Sequence, residues 1–331
     1  MPNPDLHKAK EAPPGHVLSH NIETGETELI RVLSGPLDDR FGQNGTGWAG
    51  LYGEDPYENE NQRTFGDLEL VNSPDTFPRS AACRLRMQFT DTGGTQWIFS
   101  GSGWLIDAET LLTAGHCVYL QTFVDNGGTT RTVNDWADWM QVFPGSHQGT
   151  DNWGRADATN FNAFTGWTDN SNFDWDIGMV RISRAVGMLA GWTGWAWGGS
   201  CSWIQDEFYH NFSYPAGTTA CPTHNGADMY YRSGQFDSCP GNQLHIDTTA
   251  GCFTTSHPGM SGSGYYYKDD DDERWVHSIH SNGNESDSSN SSKIWESLND
   301  YLADTWIPGS RGSAFDLQAL YLRNEGGLEQ G

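Results

Sequence analysis

The chain of 331 residues is long enough for two packed domains, and its formal net charge of −25 comes from 43 acidic side chains against 18 basic ones. Such an acidic surface repels nucleic acids and anionic membranes, so we expect neither as a partner and interpret the charge as a solubility feature. With 36% hydrophobic residues, 40 glycines and 15 tryptophans, the composition favours an all-β protein with a buried core.

The cysteine content points to an oxidising compartment. The six cysteines are an even number without a CxxC pair, which predicts disulfide bonds and disfavours a zinc knuckle. The disulfide bonds expected from these cysteines lead us to expect a secreted protein. The first residues hold no apolar core of a signal peptide, so either the signal peptide has been removed or export uses another route. The longest weakly polar stretch, residues 185–199, is too short to cross a bilayer as a helix.

The first third of the chain divides into three parts. Residues 1–31 are polar and aperiodic, and we interpret them as a leader or pro-segment. Residues 32–69 are rich in Gly and Asp and predict an N-terminal arm that runs over the surface. From residue 81 onward, AACRLRMQF, QWIFSGSGWLI and TLLTAGHCVYL are typical of strands separated by turns. These strands predict a first β-domain over residues 70–185.

A second β-rich half is predicted over residues 186–308. Near its end, Ile294, Leu298 and Leu302 fall at helical spacing, which predicts a C-terminal α-helix that Pro308 ends. The remaining residues, 309–331, are predicted to be a loose tail.

Three segments carry candidate catalytic residues. TAGHC contains His116, DWDIGMV contains Asp176 and HPGMSGSG contains Ser261. A serine hydroxyl is a weak nucleophile at neutral pH, so it needs an imidazole to take its proton and a carboxylate to orient that imidazole. The order His, Asp, Ser differs from that of subtilisin-like enzymes and α/β-hydrolases. His116 could instead be a packed strand histidine, and Ser261 could lie in an ordinary Gly/Ser turn. The presence of the histidine and serine segments in one chain favours catalysis over these alternatives.

The sequence around these residues resembles a known family. GSGWLIDAETLLTAGHCVY is similar to the histidine segment of chymotrypsin-clan peptidases, and PGMSGSG resembles the serine segment of glutamyl endopeptidases. The resemblance covers about residues 32–308 and implies two six-stranded antiparallel β-barrels with the cleft between them. It also implies a serine endopeptidase that acts on proteins or peptides through an acyl-enzyme, without a metal or organic cofactor. We expect a monomer.

The surroundings of the serine and the aspartate refine these assignments. Glycines next to Ser261 let the backbone turn its N–H groups inward, and those of Gly259 and Ser261 would form an oxyanion hole. Asp174 would share the strand face of Asp176 and remains an alternative. We prefer Asp176, because DIGMV matches the short apolar strand that follows the acid in the family.

The resemblance further implies a pocket for an acidic side chain. It assigns Ser281 to holding the catalytic acid, His280 to facing the carboxylate of the substrate and Ser256 to lining the same pocket. An imidazole can hydrogen-bond a carboxylate, and a site built for that bond rejects substrates that lack it. His277 and His257 are nearby alternatives, and His280 could instead be a buried strand histidine. Cleavage after Glu or Asp is our expectation, with another specificity or a catalytically silent binding protein as alternatives.

VLSGPLDDR, which begins at Val32, resembles the mature N-terminus of glutamyl endopeptidases. The family uses the new α-amino group near the pocket, where an ammonium attracts a carboxylate. Cleavage after Arg31 would therefore convert a zymogen into active enzyme. The chain departs from the family at Gly264, where Pro is frequent, and in an inserted CFTTSH that bears on the pocket wall. Some relatives pair two cysteines near the histidine, which would join Cys83 to Cys117.

Overall fold

The computed structural model describes residues 16–30, 41–44, 47, 55–58, 63–217, 224–247, 256–284, 288–294, 298 and 302. Its strands are β1 (Val17–Asn21), β2 (Thr27–Ile30), β3 (Phe41–Asn44), β4 (Glu69–Leu70), β5 (Ala82–Thr90), β6 (Gln96–Leu105), β7 (Thr110–Thr113), β8 (Tyr119–Val124), β9 (Thr130–Trp136), β10 (Trp139–Pro144), β11 (Ala156–Phe164), β12 (Gly178–Ile182), β13 (Gly194–Gly198), β14 (Tyr209–Ser213), β15 (Ala216–Gly217), β16 (His224–Asn225), β17 (Tyr230–Gly234), β18 (Gln243–Asp247), β19 (Gly264–Lys268), β20 (Arg274–Asn284) and β21 (Ser288–Lys293). The helical segments are short: Arg79–Ala81, Gly115–Val118, Thr165–Thr168, Phe173–Trp175, Gly187–Ala190 and Cys201–Asp206. Among the described residues, no helix has the length and apolar character needed to span a membrane.

Six antiparallel strands close a first barrel, in the order β10-β5-β6-β7-β12-β11, and the β10–β11 pair completes the ring. Strand β5 shows why these segments become strands, because its side chains alternate between the interior and the outside. Leu85, Met87 and Phe89 are all at least 99% buried and belong to the main hydrophobic core. The predicted all-β class is therefore confirmed for this half of the molecule.

Strands β1 and β2 form a hairpin that extends this sheet beyond β11. β1 pairs with β11 in a register that runs from Val17 opposite Phe164 to Asn21 opposite Asn160. These strands lie in the segment that we interpreted as a leader or pro-segment, and the sequence predicted none there. The pattern is weak because only Val17 and Leu18 of β1 are fully buried.

The second sheet runs in the order β18-β21-β20-β19-β14-β17-β4, and β13 joins it by pairing with β20 and β3. Within the described ranges the outer strands β18 and β4 do not pair, so this sheet is a half-barrel and not the predicted closed six-stranded barrel. The pairing of β13 with β20 is also parallel, with Gly194 opposite Trp275 and Trp195 opposite Val276. This pairing departs from the expected purely antiparallel pattern.

The described parts of the N-terminal arm join the second sheet, because β3 pairs with β13 and β4 pairs with β17. At the other end, Ile294, Leu298 and Leu302 are completely buried. The other residues of the predicted C-terminal helix, and the predicted tail of residues 309–331, lie outside the described residues.

One disulfide bond joins Cys201 to Cys239. It links the short helix at Cys201–Asp206 to the segment that precedes β18. Cys221 and Cys252 lie outside the described residues.

The expected bond between Cys83 and Cys117 is wrong, because both cysteines are buried and free. The Cys117 sulfur faces Gly101, where an added Cβ would lie 3.3 Å from it. Cys83 pairs across the ladder with Gly103, two residues further along β6, and Leu85 is the residue opposite Gly101. The residues beside the Cys117 sulfur on β6 and β5 are thus Gly101 and Leu85, and Cys83 is not at the position from which a disulfide bond to Cys117 could form.

Candidate active site

His116 lies in the helical turn Gly115–Val118 after β7, and Asp176 directly follows the turn Phe173–Trp175 before β12. The Nδ1 atom of His116 lies 2.8 Å from Asp176 Oδ2, and the His116 backbone N–H donates to Oδ1 at 2.8 Å. Because the carboxylate accepts from Nδ1–H, the remaining ring nitrogen, Nε2, carries a lone pair that can accept a proton. The pair therefore has the geometry of an oriented general base.

A third bond secures the buried carboxylate. Ser281 donates its hydroxyl to Asp176 Oδ2 at 2.5 Å, and Ser281 is 2% exposed. A fully buried carboxylate needs such partners because burial without hydrogen bonds is costly. The alternative acid, Asp174, lies elsewhere: its N–H donates to Asn172, and its carboxylate faces Gly241. Only the second aspartate of DWD contacts the histidine.

The electrostatic setting of His116 favours the protonated imidazole. Burial lowers the pKa of His116, but the Asp176 carboxylate and the adjacent Cys117 outweigh burial and raise it well above its ordinary value. The ring of Trp167 lies 6.0 Å from the imidazole and covers one side of it. The His116 side chain keeps 24% exposure, so a substrate can still reach it.

The turn that carries Ser261 is held against the first barrel by Ser102 of β6. The Ser102 N–H donates to the Ser261 carbonyl at 2.8 Å, and its hydroxyl donates to the Gly259 carbonyl at 2.7 Å. The sulfur of Cys117, which follows His116, lies 3.8 Å from the same Ser261 carbonyl. These contacts bring the serine turn and the histidine turn together at the seam between the two sheets.

The close approach of this turn requires glycine. Gly262 has a φ of +90°, and a Cβ at that position would collide with the Ser102 carbonyl and the Thr113 hydroxyl. A side chain there would therefore push Ser261 away from the first barrel.

The same turn presents two backbone donors. Gly259 has a φ of +87°, and an added Cβ would lie 2.5 Å from the Tyr214 carbonyl. The N–H groups of Gly259 and Ser261 donate to no acceptor in the described part of the chain. They are thus available to a ligand oxygen, as an oxyanion hole requires.

A pocket of about 310 Å³ opens beside Ser261. It is lined by Ser256, His257, Pro258, Ser261, Ser281, Asn282 and Gly283. His280 lies directly behind this lining, because it is 1% exposed and its Nε2 atom is 3.0 Å from the Ser256 hydroxyl. The three residues assigned to the pocket by resemblance, Ser256, His280 and Ser281, are therefore neighbours.

A buried polar network continues behind His280. Its Nδ1 atom lies 3.3 Å from the Tyr265 hydroxyl and 3.2 Å from the Ser289 hydroxyl. Arg232, which is 3% exposed, donates to both of these oxygens. A hydroxyl that accepts from Arg232 can donate its own proton to the lone pair of Nδ1, and in that tautomer the ring proton of His280 lies on Nε2, toward Ser256.

The same arrangement keeps the imidazole neutral. Burial first, and then the positive charge of Arg232, hold the pKa of His280 well below its ordinary value. His280 is therefore a neutral hydrogen-bond donor at the back of the pocket.

The sequence motifs did not single out Arg232, Tyr265 or Ser289. One signal was available for Arg232, because MYYRSGQF places a lone basic residue among strand-forming aromatics in a chain with few basic residues. Tyr265 and Ser289 carry no comparable signal, since their contacts with His280 depend on the pairing of separate strands.

The other candidate residues fall in different places. His277 bonds the Tyr209 hydroxyl and the Gly198 carbonyl, each at 2.9 Å, so it is a core histidine. His257 lines the pocket, with its ring 4.7 Å from that of His224. Val32 lies outside the described residues.

Comparison of the sequence with known proteins finds distant proteases, although no family model matches. The chain is 25% identical over 288 residues to the extracellular metalloprotease of Bacillus subtilis (strain 168), which covers 84% of this chain and 83% of that protein. It is 28% identical over 100 residues to the glutamyl endopeptidase of Bacillus licheniformis, which covers 30% of this chain and 28% of that protein.

Solved structures agree on the fold. The protease Anisep from Arthrobacter nicotinovorans matches 71% of this chain and 96% of its own, at 19% identity and a TM-score of 0.52. A Glu endopeptidase matches 73% of this chain and 96% of its own, at 17% identity and a TM-score of 0.51. The thermostable serine protease AL20 matches 68% of this chain and 98% of its own, at 17% identity and a TM-score of 0.53. The chain therefore has the fold of chymotrypsin-like serine proteases.

Proposed function

We propose that this protein is a secreted serine endopeptidase that cleaves peptide bonds after Glu or Asp, with Ser261, His116 and Asp176 as its catalytic residues. The observation that carries the proposal is the hydrogen-bonded pair of His116 and Asp176, secured by Ser281, at the seam where the Ser261 turn meets the first barrel. The protease fold of the chain agrees with it.

The proposed reaction proceeds through an acyl-enzyme. The Ser261 hydroxyl attacks the scissile carbonyl and His116 Nε2 takes its proton, while Nδ1–H remains bonded to Asp176. The oxygen of the tetrahedral intermediate accepts hydrogen bonds from the Gly259 and Ser261 N–H groups. His116 then returns the proton to the leaving amine, the C–N bond breaks and an acyl-enzyme remains. Water, activated by His116, cleaves the ester and restores the serine.

The specificity proposal rests on the groups behind the pocket. The Ser256 hydroxyl lines the pocket and can donate to a substrate carboxylate, while the neutral His280 behind it, with its proton on Nε2, donates to the Ser256 oxygen. Arg232 adds a buried positive charge behind His280, and such a charge in a low-dielectric interior favours a carboxylate in the pocket. A substrate without the carboxylate leaves these polar groups unpaired, so it is rejected.

Activation is part of the same proposal. Cleavage after Arg31 frees the α-amino group of Val32, and the resulting ammonium supplies a second positive charge for the acidic side chain. Val32 lies outside the described residues, so this step rests on the sequence resemblance alone. The mass of the denatured active chain tests it, because an active chain in which residues 1–31 are still covalently attached contradicts the step.

A fluorophosphonate probe tests the serine mechanism. In this reaction the Ser261 oxygen displaces fluoride from phosphorus, so we expect one label per molecule in the wild type and none in Ser261→Ala. Ser202→Ala, at an exposed serine, is the matched control and should label normally. Absence of labelling in folded, activated wild-type protein would indicate a catalytically silent binding protein.

A second experiment uses a metal chelator, because the Bacillus subtilis relative is named a metalloprotease. The described residues contain no cluster of three or more His, Cys, Asp or Glu side chains that could hold a metal ion. We therefore expect cleavage to survive EDTA. Activity that is abolished by EDTA, restored by zinc and retained in Ser261→Ala contradicts the serine mechanism.

The specificity is tested separately with peptides that differ only in the residue before the cut. We expect Glu and Asp to be preferred over the isosteric Gln and Asn. A preference for another residue leaves the serine mechanism intact and establishes a different primary specificity.

A further inference from the structure

We infer that residues 16–30 are a permanent structural part of the first barrel and stay bound to β11 after the chain is cut behind Arg31. The inference concerns the barrel and not the substrate preference. It rests on the proposed function in one respect, because the cleavage site after Arg31 is taken from there.

The open edge of β11 is the binding surface. One flank of β11 pairs with β12 along most of its length, from Ala158 to Ala163. On the other flank, β10 reaches only Ala156 and Asp157. The remaining half of that flank, up to Phe164, is paired by β1. Without β1, this half would be an unpaired strand edge next to a hydrophobic core.

The hairpin fills this edge with both backbone and side-chain contacts. The Thr165 N–H donates to the His16 carbonyl at 2.7 Å, and the Ile22 N–H donates to the Thr159 carbonyl at 3.0 Å, so the pairing is anchored at both ends. Val17 is completely buried and Leu18 is 3% exposed, and both belong to the main hydrophobic core. Removal of the hairpin would expose that apolar surface to water.

A side-chain contact adds to the strand pairing. The His20 ring stacks on Trp136 with ring centres 5.2 Å apart, and its Nδ1 atom bonds the Thr27 hydroxyl at 2.9 Å. Trp136 also stacks on Phe161 of β11. The hairpin is therefore fixed to the strand pair β8–β9 as well as to β11.

The docked hairpin also supports the candidate active site. β11 leads directly into the helical turn Thr165–Thr168, whose Trp167 lies against the His116 ring. The Trp167 indole donates to the Tyr119 carbonyl, which ties the turn to β8. Loss of β1 would loosen the anchored end of β11 at Thr165 and with it the wall beside His116.

The first experiment cuts the Ser261→Ala protein behind Arg31 by limited digestion with trypsin, with the position verified by intact mass. After native size-exclusion chromatography, we expect the peptide that ends at Arg31 and the fragment that begins at Val32 in equal amounts in one peak. Recovery of the peptide only in the low-mass fractions, with the large fragment still folded, overturns the inference.

A matched pair of variants identifies the contact. Leu18 and Leu29 face each other in the hairpin, but Leu18 is 3% exposed and Leu29 is 42% exposed. In the cut protein, Leu18→Asp should release the peptide and Leu29→Asp should not. Equal behaviour of the two variants contradicts the buried docking.

Hydrogen exchange on the uncut protein distinguishes a local loss of hairpin docking in Leu18→Asp from a general loss of stability. We expect the β11 amides that face β1, within residues 160–164, to exchange at least about tenfold faster in Leu18→Asp, while β5 amides keep their protection. Uniform loss of protection across β5 and β11, or none in β11, contradicts the inference. A synthetic peptide of residues 16–30, added to the fragment that begins at Val32, should restore protection of the same β11 amides.

Discussion

The two halves of the molecule place their functional groups in different ways. In the first barrel, six strands close around an apolar core, and two short turns at strand ends hold His116 and Asp176. The second half-barrel buries a line of polar groups, from Arg232 through Tyr265 to His280, between strands that are distant in sequence. In the proposed mechanism, the first barrel positions the general base, and the second sheet sets the polarity of the substrate pocket.

This difference separates two kinds of mutational effect. A change at the His116 pair or the Ser261 turn should lower the rate for every substrate, because all substrates share the same chemistry. A change in the Arg232 network should alter the choice between substrates and leave the chemistry nearly intact. Four variants test this division, and they are given in order of decreasing expected effect.

Asp176→Asn should have the largest effect, a loss of about 10⁴-fold in kcat/KM for all peptides, because it removes the group that orients and stabilises the imidazolium. Since the carboxylate raises the pKa of His116, the base form appears only as pH rises through that pKa. The acid limb of the pH–rate profile should therefore move to lower pH in the variant. Asp174→Asn is the matched control and should keep wild-type activity; equal losses in both would contradict the assignment.

Gly259→Ala should lower kcat by about 10²- to 10³-fold, the cost of losing one oxyanion donor. The new methyl group would meet the Tyr214 carbonyl at 2.5 Å and turn the N–H away. Gly94→Ala provides the control, because Gly94 has a similar φ of +84° but open space around it. Both variants bear the strain of a left-handed alanine, so a comparable loss of kcat in Gly94→Ala would mean that strain, and not the oxyanion donor, is responsible.

His280→Ala should reduce the preference for Glu over Gln peptides by about 100-fold, because it removes the buried donor that orients the Ser256 hydroxyl toward the substrate carboxylate. The kcat/KM for Gln peptides should change little, since His280 makes no contact with the scissile bond in this proposal. Parallel loss with both peptides would show that the residue supports the fold, and an unchanged preference would remove His280 from the pocket. Thermal unfolding of the variant separates these outcomes from simple destabilisation.

Arg232→Met should have the smallest effect, about a tenfold rise in KM for Glu peptides with kcat nearly unchanged, because Arg232 acts through Tyr265, Ser289 and His280. Arg232→Lys should restore part of the lost affinity, since it returns the charge. A fall in kcat with both Glu and Gln peptides would contradict a positioning role and show that Arg232 only stabilises the fold.

Much of the fold could be predicted because local patterns encode it. The alternation in AACRLRMQF became β5 with its apolar side inward, and the all-β class is confirmed. The hairpin at residues 17–30 was missed because short edge strands bury few side chains. The half-barrel was expected to close, but which strands pair at its edges depends on contacts between distant segments.

The fold class and the candidate reactive groups could be read from the sequence, because the segments around His116, Asp176 and Ser261 carry their requirements locally, in glycine turns and short apolar runs. The contact of Asp176 and not Asp174 with His116, the unpaired state of Cys83 and Cys117 and the position of Arg232 behind His280 required the folded chain. Those outcomes depend on which side chains meet after distant strands pair. A linear pattern records the periodicity of each strand but not its partner or register.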